Sequence, residues 1–321
     1  MTTSVLCIGE LLIDFFCREV DIDLSEGTTF EKQAGGAPAN VCAAIVKLGG
    51  RASFCGKVGD DSFGRFLKST LEQAGVDTSF LVKDKQVPTT LAFVSRVSGG
   101  ERDFLFHRGA DEQLQRSDVD EQALLQHRIA HFGSATALLT NPFYETYETC
   151  FNAFQQQGAF LSFDPNYRLD LWKGRTNEFI EKCQPFLKQA HLVKVSEEEL
   201  RLLTNAETVV GGAAKLHELG VKWLTVTCGS AGTYISIGDK AQQIPSIQVD
   251  SIDSTGAGDA FVGAVLTKLA QLKQPNVLTF AEFKEIVTFA NIVGALACTK
   301  IGAISALPNE QDVQLWQRKY E

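Results

Sequence analysis

The sequence predicts an α/β protein: a three-layer α/β/α sandwich on a mostly parallel central sheet, with a small β-sheet lid. Three observations lead there. Compact apolar runs at 5–9, 52–58, 129–133, 159–164, 191–195 and 222–228 have the length and composition of buried strands. Segments of helical period lie between them, as where Val41, Ala44, Ile45 and Leu48 recur at i, i+3, i+4 and i+7. Two further segments, 15–33 and 89–108, fit neither pattern, and the second alternates about Gly99-Gly100 as a β-hairpin does.

The first strand, 5–9, runs into Gly9-Glu10-Leu11-Leu12-Ile13-Asp14, where Asp14 is a polar residue closing an apolar run. Asp14 suits either two neighbouring hydroxyls of a ligand or a solvated strand end. The first helix has Pro38 near its start, where a missing N–H costs nothing, and Gly49-Gly50 at its end. Alternation continues through the remaining runs, so successive strands lie parallel, joined by crossover helices on both faces. The segments 15–33 and 89–108 interrupt this rhythm and read as a lid over the crevice at the strand ends, where such sheets bind ligands. No repeat, low-complexity tract or Pro/Gly-rich linker divides the chain, so residues 1–321 are expected to form one domain carrying that lid.

Composition narrows the function. The 321 residues are 44 % hydrophobic and 21 % charged, within the range of an ordinary folded protein. Thirty basic against 39 acidic residues leave a net charge of −9 with no basic cluster, which argues against nucleic acid. A small anion is still accommodated, because a helix N-terminus holds phosphate without any surplus of cations. The eight cysteines show no CxxC pair and mostly sit in apolar runs, as expected of buried free thiols in a reducing compartment. No leader pattern and no apolar run approaching a membrane span is present, so a cytoplasmic protein without a membrane partner is expected.

The chemistry concentrates in two glycine segments. Residues 253–261 read Asp-Ser-Thr-Gly-Ala-Gly-Asp-Ala-Phe and open a helical run. Gly256, Ala257 and Gly258 allow close backbone approach and aim N–H groups at one point, an anion hole at a helix N-terminus. Asp259, at the same terminus, either caps the helix or accepts a proton from a hydroxyl while those amides hold a phosphoryl group. The second segment, 34–40, reads Ala-Gly-Gly-Ala-Pro-Ala-Asn; Gly35 and Gly36 let a ligand lie against the backbone, and Asn40 offers a donor and an acceptor to sugar hydroxyls. A simple turn before a helix accounts for it equally well. The five histidines are scattered, and the sequence contains neither GxxxxGK[ST] nor a GxGxxG after a strand, which sets aside zinc, P-loop and dinucleotide chemistry.

Together, in this order and with Gly49 and Gly59 following the first, the two segments resemble the signatures of the PfkB (ribokinase-like) carbohydrate kinases, and the resemblance spans essentially the whole chain. It implies a ribokinase-like fold, ATP and Mg²⁺ as cofactors, a sugar as acceptor and a homodimer joined through the lid. By position, Asp259 matches the family's base, Gly256–Gly258 its anion hole, and Asp14, Gly35, Gly36 and Asn40 its sugar contacts. Arg168, in Asp164-Pro165-Asn166-Tyr167-Arg168, is placed by the resemblance near the transferring phosphate. Thr227, Gly229, Gly232, Gly258 and Asn291 are implied at the nucleotide. Ser196 and Glu199 correspond to a magnesium-organising NxxE, with Ser196 standing where the family usually has Asn; Glu199 is then expected to hold Mg²⁺ through water. The same two residues also read as a capping box. A K⁺ site is implied at Asp253, Thr255, Ala297, Lys300 and Gly302, largely through carbonyls.

The lid should read the sugar. Phe104 and Arg108, within Phe-Leu-Phe-His-Arg-Gly-Ala-Asp, are therefore expected at the substrate, and the Arg-Gly-Ala-Asp stretch is similar to the fructokinase branch. That branch implies phosphorylation of fructose, at O6 by the resemblance and with O1 left open. A 2-keto-3-deoxygluconate kinase, which would use Arg108 for a carboxylate, is the alternative, and an inactive sugar-binding regulator is the reading from a different class.

Overall fold

The computed structural model describes residues 4–96 and 102–320. In chain order the strands are β1 (Val5–Ile8), β2 (Leu12–Val20), β3 (Phe30–Gly35), β4 (Ala52–Gly59), β5 (Asp77–Asp84), β6 (Leu91–Arg96), β7 (Arg102–His107), β8 (Ile129–Phe132), β9 (Phe160–Phe163), β10 (Leu192–Ser196), β11 (Trp223–Thr227), β12 (Thr233–Ile237) and β13 (Lys240–Ile244). Nine of them form the main sheet in the order β13-β12-β11-β10-β9-β8-β1-β4-β5, and four form a lid ordered β3-β2-β6-β7.

β1 shows why the main sheet is sandwiched. All four of its side chains are buried; Val5 and Cys7 point into one core, Leu6 and Ile8 into the other. A strand covered on both faces has no polar side to show, hence its continuous apolar run. Helices Ala37–Lys47, Ala257–Gln271 and Phe280–Ala297 pack on the first face, and Phe143–Gln156, Thr176–Gln189, Glu197–Thr204 and Val209–Leu219 on the second. On that second face Phe132 is fully buried, its ring 4.9 Å from Phe151 and 5.0 Å from Tyr147.

β1 pairs in parallel with β4 on one side and β8 on the other. Sheet strands thus lie on both sides of β1, and Glu10, Ala135 and Thr136, just beyond the ends of β1 and β8, line a crevice at that switch point. β1 stops at Ile8 because the chain turns at Gly9, where a Cβ would lie 2.3 Å from Pro38 Cγ.

Six strands were legible as apolar runs; β5, β12 and β13 were not. β5 is a sheet edge alternating in burial, and β13 is exposed at four of its five positions, so neither carries a buried-strand signature. β12 and β13 also run antiparallel, joined to β11 by short connections, the first a single 3-10 turn at Gly229–Ala231, rather than by crossover helices.

The lid begins earlier than expected: β2 starts at Leu12, which places Asp14 inside a lid strand and not at the end of the first sheet strand. Residues 11–16 are apolar except at Asp14, so the change of sheet leaves no mark in the pattern. Phe15 turns to the lid face opposite Asp14, stacked 5.1 Å from Phe93 and edge-on at 5.8 Å to Phe63 of helix Ser62–Ala74. β6 and β7 pair antiparallel as a hairpin, and its expected turn at Gly99-Gly100 lies outside the described residues. All eight cysteines are free, six of them buried. Among the described residues no helix is long and apolar enough to cross a membrane.

Candidate active site

Under the lid lies a cleft of about 730 Å³, lined by Asp14, Gly36, Asn40, Phe104, Arg168, Glu199, Gly256, Gly258 and Asp259. A second cavity of about 330 Å³ is lined by Thr227, Gly229, Gly232 and Asn291. Ser254 and Gly258 border both. Residues from opposite ends of the chain are thus gathered around one glycine loop.

That loop starts helix Ala257–Gln271. Gly256 sits in the left-handed region at φ 73°, and a Cβ there would lie 2.8 Å from Ala303 Cβ. The helix has no side-chain cap, so the capping account of Asp259 fails. Asp259 instead faces Asn40, whose Nδ2 donates to its Oδ2 at 2.8 Å. Burial pushes the Asp259 carboxyl up to about 6; the Asn40 hydrogen bond and the charges of Arg168 and Lys194 pull against it. A carboxylate poised there can take a proton near neutral pH. The Ala257 N–H is turned to Ser254 O at a long 3.2 Å.

Asn40 enters from helix Ala37–Lys47, whose N-cap is Gly36 at φ 111°. A Cβ on Gly36 would lie 2.4 Å from Glu10 O. Asn40 is buried, and its Oδ1 has no partner among the described residues, which leaves one acceptor in the cleft wall for a ligand hydroxyl. On the lid, Gly35 explains itself: a Cβ there would meet Asp14 Oδ2 at 1.9 Å, so the bare backbone makes room for the carboxylate. Phe104 stacks with Phe106 at 6.1 Å on the same lid face, an apolar ceiling to the cleft.

Ser196 and Glu199 form both halves of a capping box. Glu199 is buried; Oε2 accepts from Ser196 N at 2.7 Å and Oε1 from Tyr167 N at 2.8 Å. One carboxylate therefore ties the start of helix Glu197–Thr204 to the segment before Arg168, which is exposed at the cleft rim. In the second cavity, Gly232 at φ 91° passes so close to β13 that a Cβ would lie 2.1 Å from Ile244 O. Asn291 is spent on the wall: Oδ1 accepts from Thr233 Oγ1 at 2.6 Å and Nδ2 donates to Ile244 O and Pro245 O. Asp253 is buried and organises its loop, Oδ1 accepting from Thr255 N and Oγ1, Oδ2 from Gly302 N at 3.1 Å. Ala297 closes helix Phe280–Ala297, and Lys300 lies exposed just beyond.

Arg108 lies elsewhere than expected. Its Nη2 is 2.9 Å from Asp111 Oδ2, and it is not among the residues lining the cleft. Asp111 is fully buried and also accepts from Thr90 Oγ1 and Thr136 Oγ1. Through Thr90 and Thr136, Asp111 fastens the root of the lid to the body.

A model described as pfkB family carbohydrate kinase matches residues 2–310. The chain belongs to that family. It is 40 % identical over 313 residues to Fructokinase-1 of Oryza sativa subsp. japonica, covering 96 % of each chain. Among solved structures it superposes on the ATP-bound fructokinase of Xylella fastidiosa with a TM-score of 0.87 at 32 % identity over 100 % of both chains. The fructokinase of Vibrio cholerae O395, in a form with fructose, ADP and a calcium ion bound, gives a TM-score of 0.86 at 31 % identity over 98 % of both. This pfkB member is an ATP-dependent carbohydrate kinase with a ribokinase-like fold.

Among the cleft residues not expected from the sequence are two largely buried charged groups, Glu10 and Lys194. Glu10 is buried between the elements it joins, accepting from Ala37 N at 3.0 Å and from Ser134 Oγ, and burial raises its carboxyl. Lys194 lines the cleft with Nζ 2.9 Å from Asp164 Oδ2. Burial alone would lower the Lys194 ammonium; the carboxylates of Asp164, Glu199 and Asp259 more than reverse this and raise it. Its signal was a charged residue in the middle of the buried run Leu-Val-Lys-Val-Ser.

Proposed function

We propose that this kinase transfers the γ-phosphoryl of MgATP to O6 of fructose. The observation that carries the reading is Asp259: a buried carboxylate raised to about 6, held by Asn40 and bordered by the glycine that separates two cavities. Fructose occupies the larger, under the lid, with Asp14, Gly35, Gly36 and Asn40 on its hydroxyls and Phe104 above. ATP occupies the smaller, against Thr227, Gly229 and Gly232, with Asn291 shaping the wall, and its phosphates run toward Gly258. Asp259 takes the proton of the attacking hydroxyl while the amides of Gly256–Gly258 and Arg168 stabilise the charge on the moving group.

Glu199 is a hard oxygen donor in a polar part of the cleft, a chemistry that suits Mg²⁺ held through water. Bound there, the ion neutralises phosphate charge. The Asp253 loop, with Thr255, Ala297, Lys300 and Gly302, is the proposed K⁺ site. The commitment of Arg108 to Asp111, with the Asp14 carboxylate on the sugar side, supports a neutral sugar over 2-keto-3-deoxygluconate. We also propose one domain over residues 1–321, a homodimer joined through the lids and a cytoplasmic site of action. Half-buried Phe15, Phe30 and Phe93 and exposed Leu105 on the lid support the dimer.

The test is ADP release against fructose, 2-keto-3-deoxygluconate, ribose, glucose and adenosine, with and without K⁺, followed by NMR of the product. Selective use of fructose with phosphate on O6 is expected. Preference for the keto acid would replace the substrate assignment.

A further inference from the structure

We propose that Lys194 is a catalytic residue whose ammonium donates directly to the γ-phosphoryl of ATP during transfer. The inference rests on the proposed kinase chemistry and adds a residue to it. Along β10, Val193 and Val195 fill the core on one face of the sheet, so Lys194 projects from the other, the face that carries helix Ala257–Gln271. Its Nζ ends beside the anion hole: a Cβ on Gly258 would lie 3.3 Å away. Gly258 borders both cavities, so this ammonium stands where acceptor and nucleotide meet.

The ion pair with Asp164 does not account for the residue. Both side chains are nearly buried, at 12 % and 5 % exposure. Desolvating two charges largely cancels their attraction, and an apolar pair of equal volume would hold the sheet as well. An ammonium has three donors, and Asp164 is its one ion-pair partner among the described residues. A cation wedged between Asp164 and the glycine loop is preorganised for an anion arriving at that loop. In the step, the acceptor oxygen bonds to the γ-phosphorus and the bond from that phosphorus to the β,γ-bridging oxygen breaks. The electron pair leaves with ADP, and the hydroxyl proton passes to Asp259. Lys194 keeps its own proton throughout and only donates hydrogen bonds.

The test uses Lys194→Met, Lys194→Arg and the charge-balanced Lys194→Met/Asp164→Asn, with steady-state kinetics and calorimetric binding of ADP and of a non-hydrolysable ATP analogue. Loss of one such donor lowers kcat by ~10²–10³. We expect that loss in Lys194→Met and in the double variant, partial recovery in Lys194→Arg, and analogue binding weakened about tenfold with ADP binding unchanged. Should Lys194→Met fail to fold, the double variant carries the same readings. Return of the double variant to normal turnover, or equal weakening of ADP and analogue, would reduce Lys194 to a counter-ion for Asp164 and overturn the proposal. The binding contrast needs no sugar, so a wild-type protein inactive on fructose would sink the substrate assignment and leave this one standing.

Discussion

Replacing Asp259 by asparagine should make the protein more stable and nearly inactive. The carboxyl is fully buried, and desolvation lifts it from an ordinary 3.8 to about 6. At about 1.4 kcal/mol per tenfold change in proton affinity, that displacement corresponds to ~3 kcal/mol. The sign follows from linkage. The folded protein binds this proton more tightly than the unfolded chain, so the ionised group opposes folding. Below pH 4 both states are protonated and the penalty vanishes; it grows as pH rises from 4 to 6 and is complete above 6. The amide introduced by Asp259→Asn keeps an oxygen to accept from Asn40 Nδ2 and removes the charge. Urea denaturation of this variant at pH 7.5 should therefore show a gain of ~1–3 kcal/mol over wild type, shrinking toward zero near pH 4. ADP release should fall by ~10²–10⁴, the usual worth of a placed general base. A gain that does not change with pH, or a loss of stability at pH 7.5, would refute the argument that this carboxylate is held ionised against its surroundings for catalysis.

Other expectations follow from the same geometry. The base works ionised, so kcat/KM for the sugar should fall below an apparent pKa near 6, and a pH profile with a flat acid limb down to 5 would contradict it. Gly35→Ala puts a methyl 1.9 Å from Asp14 Oδ2 and should lower kcat/KM for the sugar ~10–100-fold while ATP binding, followed by calorimetry, stays unchanged. Asp111→Ala leaves the Arg108 guanidinium unpaired at the lid root and should cost about 3–5 kcal/mol in urea denaturation.

Much of this was legible in the sequence because it depends on short-range physics. Strands buried on both faces must be apolar throughout, so β1, β4, β8, β9, β10 and β11 announced themselves, while the exposed edge strand β13 could not. The glycines of 34–36 and 256–258 were recognisable because close approach and left-handed backbone exclude other residues. Ser196 with Glu199 was likewise a local spacing, and the capping box formed as expected.

The identity of each partner was beyond reach of that reading. Asp259 meets Asn40 across 219 positions, and nothing near either residue names the other. Arg108 had the look of a ligand contact until the fold set a buried Asp111 beside it, and Asn291 spends both its donors and its acceptor on the cavity wall. Lys194 was visible as a charge in an apolar strand, but its meaning needed Asp164 and Gly258 at its tip. The sheet, the glycine loops and the carboxylate at the helix start could be read along the chain, since burial and backbone conformation act on residues where they stand. Which charges are paired and which face the cleft came only with the folded arrangement, because crossover helices bring those groups together from opposite ends of the chain.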